Sequence, residues 1–155
     1  MQALEISNEN GNQRGVSEWE CYLGIAAFNA GDFVETQARL SQALAISRQI
    51  GFAVVEALAL VYTGAALLEI DFDRLEAAAR RINDGLERAL DLKRMDIASQ
   101  SQIFLARVAE AEGQIGRAET SLQLARKYAE QAGHLGLIEN VEQEWLEITG
   151  EKFQQ

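Results

Sequence analysis

At 155 residues and 48% hydrophobic side chains, the chain is long enough to bury a core of its own, which excludes a disordered tail. It contains no proline, and alanine, leucine, glutamate, glutamine and arginine dominate, so the composition selects helix over strand. A formal net charge of -10 repels a phosphate backbone, and no stretch gathers lysine and arginine without intervening acidic residues, which argues against nucleic-acid binding.

The opening ALEISNENG returns forty residues later as ALAISRQIG, with Ala3, Leu4, Ile6, Ser7 and Gly11 matching Ala43, Leu44, Ile46, Ser47 and Gly51. Residues 2–15 therefore read as a half repeat, the second helix of a unit whose first helix is missing. The apolar side of Leu4 and Ile6 would then lack a partner helix, which predicts a homodimer. GNQRG reads as an inter-helix turn, because its glycines follow no strand and precede no lysine-serine pair. Ser17 with Glu20 has capping-box spacing and opens a helix pair over 16–51, which turns at Gly31 and restarts at Asp32 with Glu35. Cys21, the single cysteine, excludes an intrachain disulfide and fits a reducing, cytoplasmic setting; no secretory leader is visible. With no histidine near it in sequence, it reads as a packed or groove-facing thiol rather than a nucleophile.

A second pair is expected over 52–95. Its run AVVEALALVYTGAALL is interrupted by Glu56 and falls short of the roughly 20 residues that cross a bilayer, so it reads as a helix buried on two sides. Asp71 marks the turn, and Asp73 with Glu76 the next capping box. Residues 74–94 interleave arginines with acids, Glu76 four before Arg80 and Asp84 four before Arg88, as in a solvated helix laced with ion pairs. A third pair over 96–133 turns at Gly113, and a terminal helix over 134–150 follows His134, whose place at a helix boundary suits a surface or capping role. Glu139, Glu142, Glu144 and Glu147 make that helix polar on one side, as an end cap requires.

The units are anchored by an aromatic followed two positions later by a tiny residue: Tyr22 and Gly24, Tyr62 and Gly64, Phe104 and Ala106. The tiny residue would let two helix backbones approach while the aromatic fills the space beside them. In the second helices Leu40, Ala43 and Leu44 align with Leu86, Ala89 and Leu90, then with Leu122, Ala125 and Arg126. On that alignment the intervals from Ala3 onward are forty, forty-six and thirty-six residues, which implies six extra residues between Asp71 and Leu86.

This pattern resembles tetratricopeptide repeats in the longer forty-residue form of bacterial regulators. YLGIAAFNAGDFVETQARLSQAL meets the family's small and large positions with Leu23, Gly24, Gly31, Phe33, Leu40, Ala43 and Leu44, and FLARVAEAEGQIGRAETSLQLA with Leu105, Ala106, Gly113, Ile115, Ala118, Leu122 and Ala125. The resemblance implies an all-α fold of antiparallel helix pairs stacked into a right-handed superhelical solenoid, with about seven helices plus the short N-terminal half-repeat helix. It also implies a concave inner face carrying Cys21, Ile25 and Phe28, then Val61, Ala65 and Leu68, then Ile103, Arg107 and Glu110, each trio on one helix face.

Those positions do not carry the lysine and asparagine with which family members clamp a C-terminal carboxylate. Two readings of the face stay open: an apolar groove with Arg107 positioned to orient an acidic group, or a surface packed against adjoining helices. No catalytic residue, cofactor or metal set is expected, since one cysteine and one histidine cannot build a site. The expected role is a non-enzymatic protein-interaction module taking a peptide or helix of a partner, away from nucleic acid and membrane. The alternatives are an effector-sensing domain or an oligomerisation element of a multidomain bacterial regulator.

Overall fold

The computed structural model describes residues 12–154, except for the side chain of Phe72. Within them the chain forms seven helices and no strand: α1 (Gln13–Asn29), α2 (Phe33–Ile50), α3 (Ala53–Ile70), α4 (Leu75–Asp91), α5 (Met95–Ala111), α6 (Ile115–Ala132) and α7 (Leu135–Thr149). The proposed half-repeat helix, and with it Leu4 and Ile6, lies outside the described residues apart from its last few positions.

Consecutive helices pack against each other, most extensively as the pairs α1 with α2, α3 with α4 and α5 with α6. Among alternate helices, α1 touches α3, α3 touches α5 and α5 touches α7, so the first helices of the pairs form a row. The core follows this order. One cluster joins Cys21, Leu40 and Leu44 to Val55 and Leu60, another joins Val61 and Leu68 to Ile82, Ile97 and Phe104, and a third joins Ile103, Leu122 and Ala125 to Leu137 and Val141.

Several helix starts differ from expectation because polar side chains found better partners. Asn12 caps α1 by accepting from the Gly15 amide at 2.9 Å, so the GNQRG segment opens a helix instead of turning between two. Ser17 then lies inside α1, where its hydroxyl donates to the Arg14 carbonyl, and Glu20 is buried against Arg39 at 3.3 Å. Asp32 does cap α2, accepting from the Glu35 amide at 3.1 Å. Asp73 does not cap α4: it sits in a single 3-10 turn, Phe72–Arg74, and its own amide donates to Asp71 at 3.0 Å. In α4, Glu76 pairs with Arg80 at 3.3 Å as expected, but Arg88 turns to Glu56 on α3 at 2.8 Å instead of to the Asp84 carboxylate.

α3 spans 18 residues with a mean hydropathy of 1.8, long and apolar enough by length and composition to cross a membrane, contrary to the shorter run inferred from sequence. Its composition answers to neighbours on several sides, since α1, α2, α4 and α5 all pack on it.

The register of α4 also needs correcting. The buried stripe of α2 is Thr36, Leu40, Ala43, Leu44 and Ser47, and that of α4 is Ala78, Ile82, Gly85, Leu86 and Ala89. Leu40 faces Gly24, and Ile82 faces Gly64 in the same way. Ile82, not Leu86, is therefore the counterpart of Leu40, and Leu90 is partly exposed. Pairing Leu86 with Leu40 is displaced by one helical turn. The corrected interval from Leu40 to Ile82 is forty-two residues and from Ile82 to Leu122 forty, so the middle pair carries only a small insertion, matching the 3-10 turn.

The connection after α2 uses Gly51 at φ +73 and that after α6 uses Gly133 at φ +66, whereas the one after α4 holds Lys93 at φ +57. A side chain with a Cβ is strained there. Lys93→Gly is expected to stabilise the fold by about 1 kcal/mol, read as a higher denaturant midpoint with an unchanged slope.

Candidate functional site: a cavity where the first helices meet

The structure separates the nine inner-face residues into three groups. Cys21, Val61, Ala65, Leu68 and Ile103 are buried, so they do not form an open apolar groove. Ile25, Phe28 and Arg107 are half-buried, and Glu110 is exposed. Burial has a simple cause: in α1, α3 and α5 these positions face the adjoining first helices as well as their own partners.

Phe28, Tyr62 and Phe104 meet edge to face, with ring centroids 5.4 Å apart for Phe28 and Tyr62, 5.6 Å for Phe28 and Phe104, and 5.3 Å for Tyr62 and Phe104. This geometry suits rings whose edges are positive and faces negative. Tyr22, the sequence counterpart of Tyr62 and Phe104, is 58% exposed, and Phe28 from the next turns of α1 takes its place.

Beside the rings lies a cavity of about 220 Å³ lined from all four first helices, with Phe28 and Asn29 from α1, Tyr62 from α3, Gln100 and Arg107 from α5, and Asn140, Gln143 and Glu144 from α7. Arg107 is its cation among the described residues. Its Nε donates to Glu144 Oε1 at 3.0 Å, its Nη2 makes a still closer contact with the same oxygen, and its guanidinium sits 5.6 Å from the Phe104 ring centroid. Burial alone would lower the Arg107 pKa, but the hydrogen-bonded Glu144, with Glu69 and Glu147 nearby, raises it. The guanidinium is therefore fixed in its charged form and engaged within the protein, not held out on an open face.

α7 also changes role. Glu144 anchors it to α5, and Glu142 accepts from Arg126 of α6 at 2.6 Å, so two of its four acids are docking contacts rather than a solvated cap. His134 caps α7, its Nδ1 accepting from the Leu137 amide at 3.1 Å, in keeping with the capping role expected of it. Nothing in the sequence singles out Asn140 or Gln143, and Glu144 reads there only as one acid of an end cap, because only the return of α7 onto α5 brings the three to the cavity.

A second cavity of about 400 Å³ shares Arg107 and is lined by Leu68, Glu69, Glu110 and Ala111. Glu69 and Glu110 are exposed and have no ion-pair partner among the described residues.

Burial pushes the Cys21 thiol up to about 12, with Glu18 adding to it, and burial also pushes the Tyr62 phenol up to about 12. Both groups hold their protons more tightly in the folded chain than in the unfolded one, where they ionise from 9.0 and 10.0. The stability their neutral burial contributes is complete below those unfolded values and is lost as pH rises towards 12. Melting temperature is expected to fall between pH 9 and 12, and Tyr62→Phe, which cannot ionise, to show a smaller alkaline loss than the parent chain.

No protein-family model matches this chain, and comparisons with curated proteins and with solved structures found no match.

Proposed function

We propose that the chain is a non-enzymatic interaction module of tetratricopeptide type, its helix pairs stacked as a right-handed superhelix, and that it binds a peptide segment of a partner protein at the cavity where α1, α3, α5 and α7 meet. The observation that carries this reading is the lining. Asn29, Gln100, Asn140 and Gln143 bring carboxamides from three helices around an aromatic floor. A carboxamide offers a donor and an acceptor side by side, which matches the N–H and C=O of an extended backbone. The rings supply apolar contact at low entropic cost. Proton transfer or nucleophilic attack has little to work with here, since the carboxamides do not titrate, Glu144 is held by Arg107, and burial keeps the Tyr62 phenol protonated at neutral pH.

The test is selection of a phage-displayed random peptide library on the immobilised protein, followed by anisotropy titration of the recovered peptides. Gln100→Ala combined with Asn140→Ala is expected to weaken those peptides at least about tenfold, equivalent to about 1.4 kcal/mol, while leaving the melting temperature near that of the parent. Recovery of no peptide, or equal binding to the double variant, overturns the reading.

A further inference from the structure

Independently of the peptide site, we propose that the outer face of α1 is a docking surface for the chain's own residues 2–10, which seat on it as α2 seats on α3. Each later first helix is covered by the second helix before it: α2 packs on α3, α4 on α5 and α6 on α7. The residues that receive the cover recur in register. Val55 and Ala59 of α3 are buried with Leu44 of α2, and Leu58 and Tyr62 pack against the same cluster. At the matching places Ile97 and Phe104 of α5 are buried with Leu86 and Ala89 of α4, and Leu137 and Val141 of α7 with Leu122 and Ala125 of α6. Forty residues before Val55, Leu58, Ala59 and Tyr62 stand Gly15, Glu18, Trp19 and Tyr22 of α1. These four line a cavity of about 260 Å³, and Trp19 is 36% exposed where its counterpart Ala59 is 0%. Among the described residues no second helix precedes α1, so its stacking face presents two large rings.

The occupant is identified by register. Residues 2–10 lie outside the described residues, but their sequence places Ala3, Leu4 and Ser7 forty residues before Ala43, Leu44 and Ser47, which are buried in α2. Gly11 stands forty before Gly51, whose φ of +73 turns α2 into α3. The helix starts keep the same interval, since α1 begins at Gln13 and α3 at Ala53. A connection this short makes antiparallel neighbours of what it joins, which brings Leu4 back onto α1. It also holds the segment at an effective concentration of about millimolar, ahead of a second copy at micromolar protein. The other end of the row is closed by the chain itself in a comparable way: Phe153 folds back to 4.7 Å from Trp145, under the guanidinium of Arg126. With its segment in place, the ring face of α1 is core, and recognition is left to the inner row.

The experiment uses the full chain carrying Trp145→Phe, so that Trp19 is the fluorophore that remains. Leu4→Asp puts a carboxylate into the apolar contact, which releases the segment and is expected to shift Trp19 emission to the red and raise its acrylamide quenching about twofold. Leu4→Ala, a milder change, is expected to move quenching in the same direction with helical circular dichroism unchanged. Asn8→Asp makes the same charge change at the position matching exposed Arg48, and is expected to leave Trp19 as in the parent. Sedimentation should show a monomer whose emission does not change on dilution. Equal quenching in the parent and both Leu4 variants overturns the proposal. A dimer whose Trp19 emission shifts to the red on dilution overturns it as well, and assigns the face to the segment of a second copy.

Discussion

Gly64→Ala and Gly85→Ala are expected to lower the melting temperature by more than Gly24→Ala does. All three glycines lie where a first helix meets a second, but the neighbours differ. A Cβ on Gly64 would come within 2.7 Å of the Ala78 carbonyl oxygen, and one on Gly85 within 2.8 Å of the Ala57 carbonyl oxygen. Those atoms belong to helix backbones, so the helices must separate to make room. A Cβ on Gly24 would meet Leu40 Cδ2 at 2.6 Å and Cγ at 2.8 Å, atoms of a buried side chain that must shift but that do not force the helix backbones apart. Alanine gains about 1 kcal/mol in helix propensity over glycine, against overpacking costs of about 1–3 kcal/mol. The gain offsets more of the strain at Gly24, where only a side chain must move, than at Gly64 or Gly85, where a backbone must. Thermal melts of the three variants check this order, and equal stability of all three would show that α3 and α4 do not approach as closely as described.

The sequence made the helices legible because their turns carry strong local chemistry. Gly31 and Gly113 stand just past helix ends in left-handed conformations, Asp32 caps, and α7 runs over nearly the expected residues. The rest is obscured by competition between similar local patterns. Leu86, Ala89 and Leu90 imitate the Leu40, Ala43 and Leu44 spacing, while the true counterparts include a glycine, Gly85, in place of alanine. Only the packing of Ile82 against Gly64 separates the two alignments. The Ser17 and Asp73 caps fail because the helix boundaries fall elsewhere: Asn12 opens α1 five residues before Ser17, and Asp73 lies inside the 3-10 turn that Asp71 caps, leaving α4 with no side-chain cap.

The candidate site was legible in part. Phe28 and Arg107 fell on inner-face positions and do line the cavity, because helical periodicity places them correctly. Periodicity could not tell how far the first helices close on one another, and that closeness buries Cys21, Val61 and Ile103. Nor could it place Glu144, thirty-seven residues beyond Arg107, opposite its guanidinium. Burial and long-range pairing depend on how the helix pairs stack, and each helix carries only its own half of that information.

Val61→Ser and Leu68→Ser put the packed inner face to a direct test and are expected to cost several times as much as Ile25→Ser. Val61 is 0% exposed and packs with Ile82 and Phe104, and its Cγ2 lies against Gly85, so removing its branches opens space beside a backbone contact that cannot collapse inward. Leu68 is 6% exposed in the same cluster. The introduced hydroxyls have an outlet, since serine in a helix donates to the carbonyl four residues back, as Ser101 does to Ile97 at 2.8 Å. Their desolvation is therefore small beside the lost apolar burial and the residual cavity, which together cost about 2–4 kcal/mol per site. For a chain of this length that corresponds to a fall in melting temperature of roughly 4–15 °C. Ile25 is half-buried and already meets solvent, so its substitution loses less apolar contact and leaves no closed cavity. If all three variants instead melt with the parent, the residues are exposed in solution, α3 is not enclosed by its neighbours, and the recognition surface extends along the whole inner row.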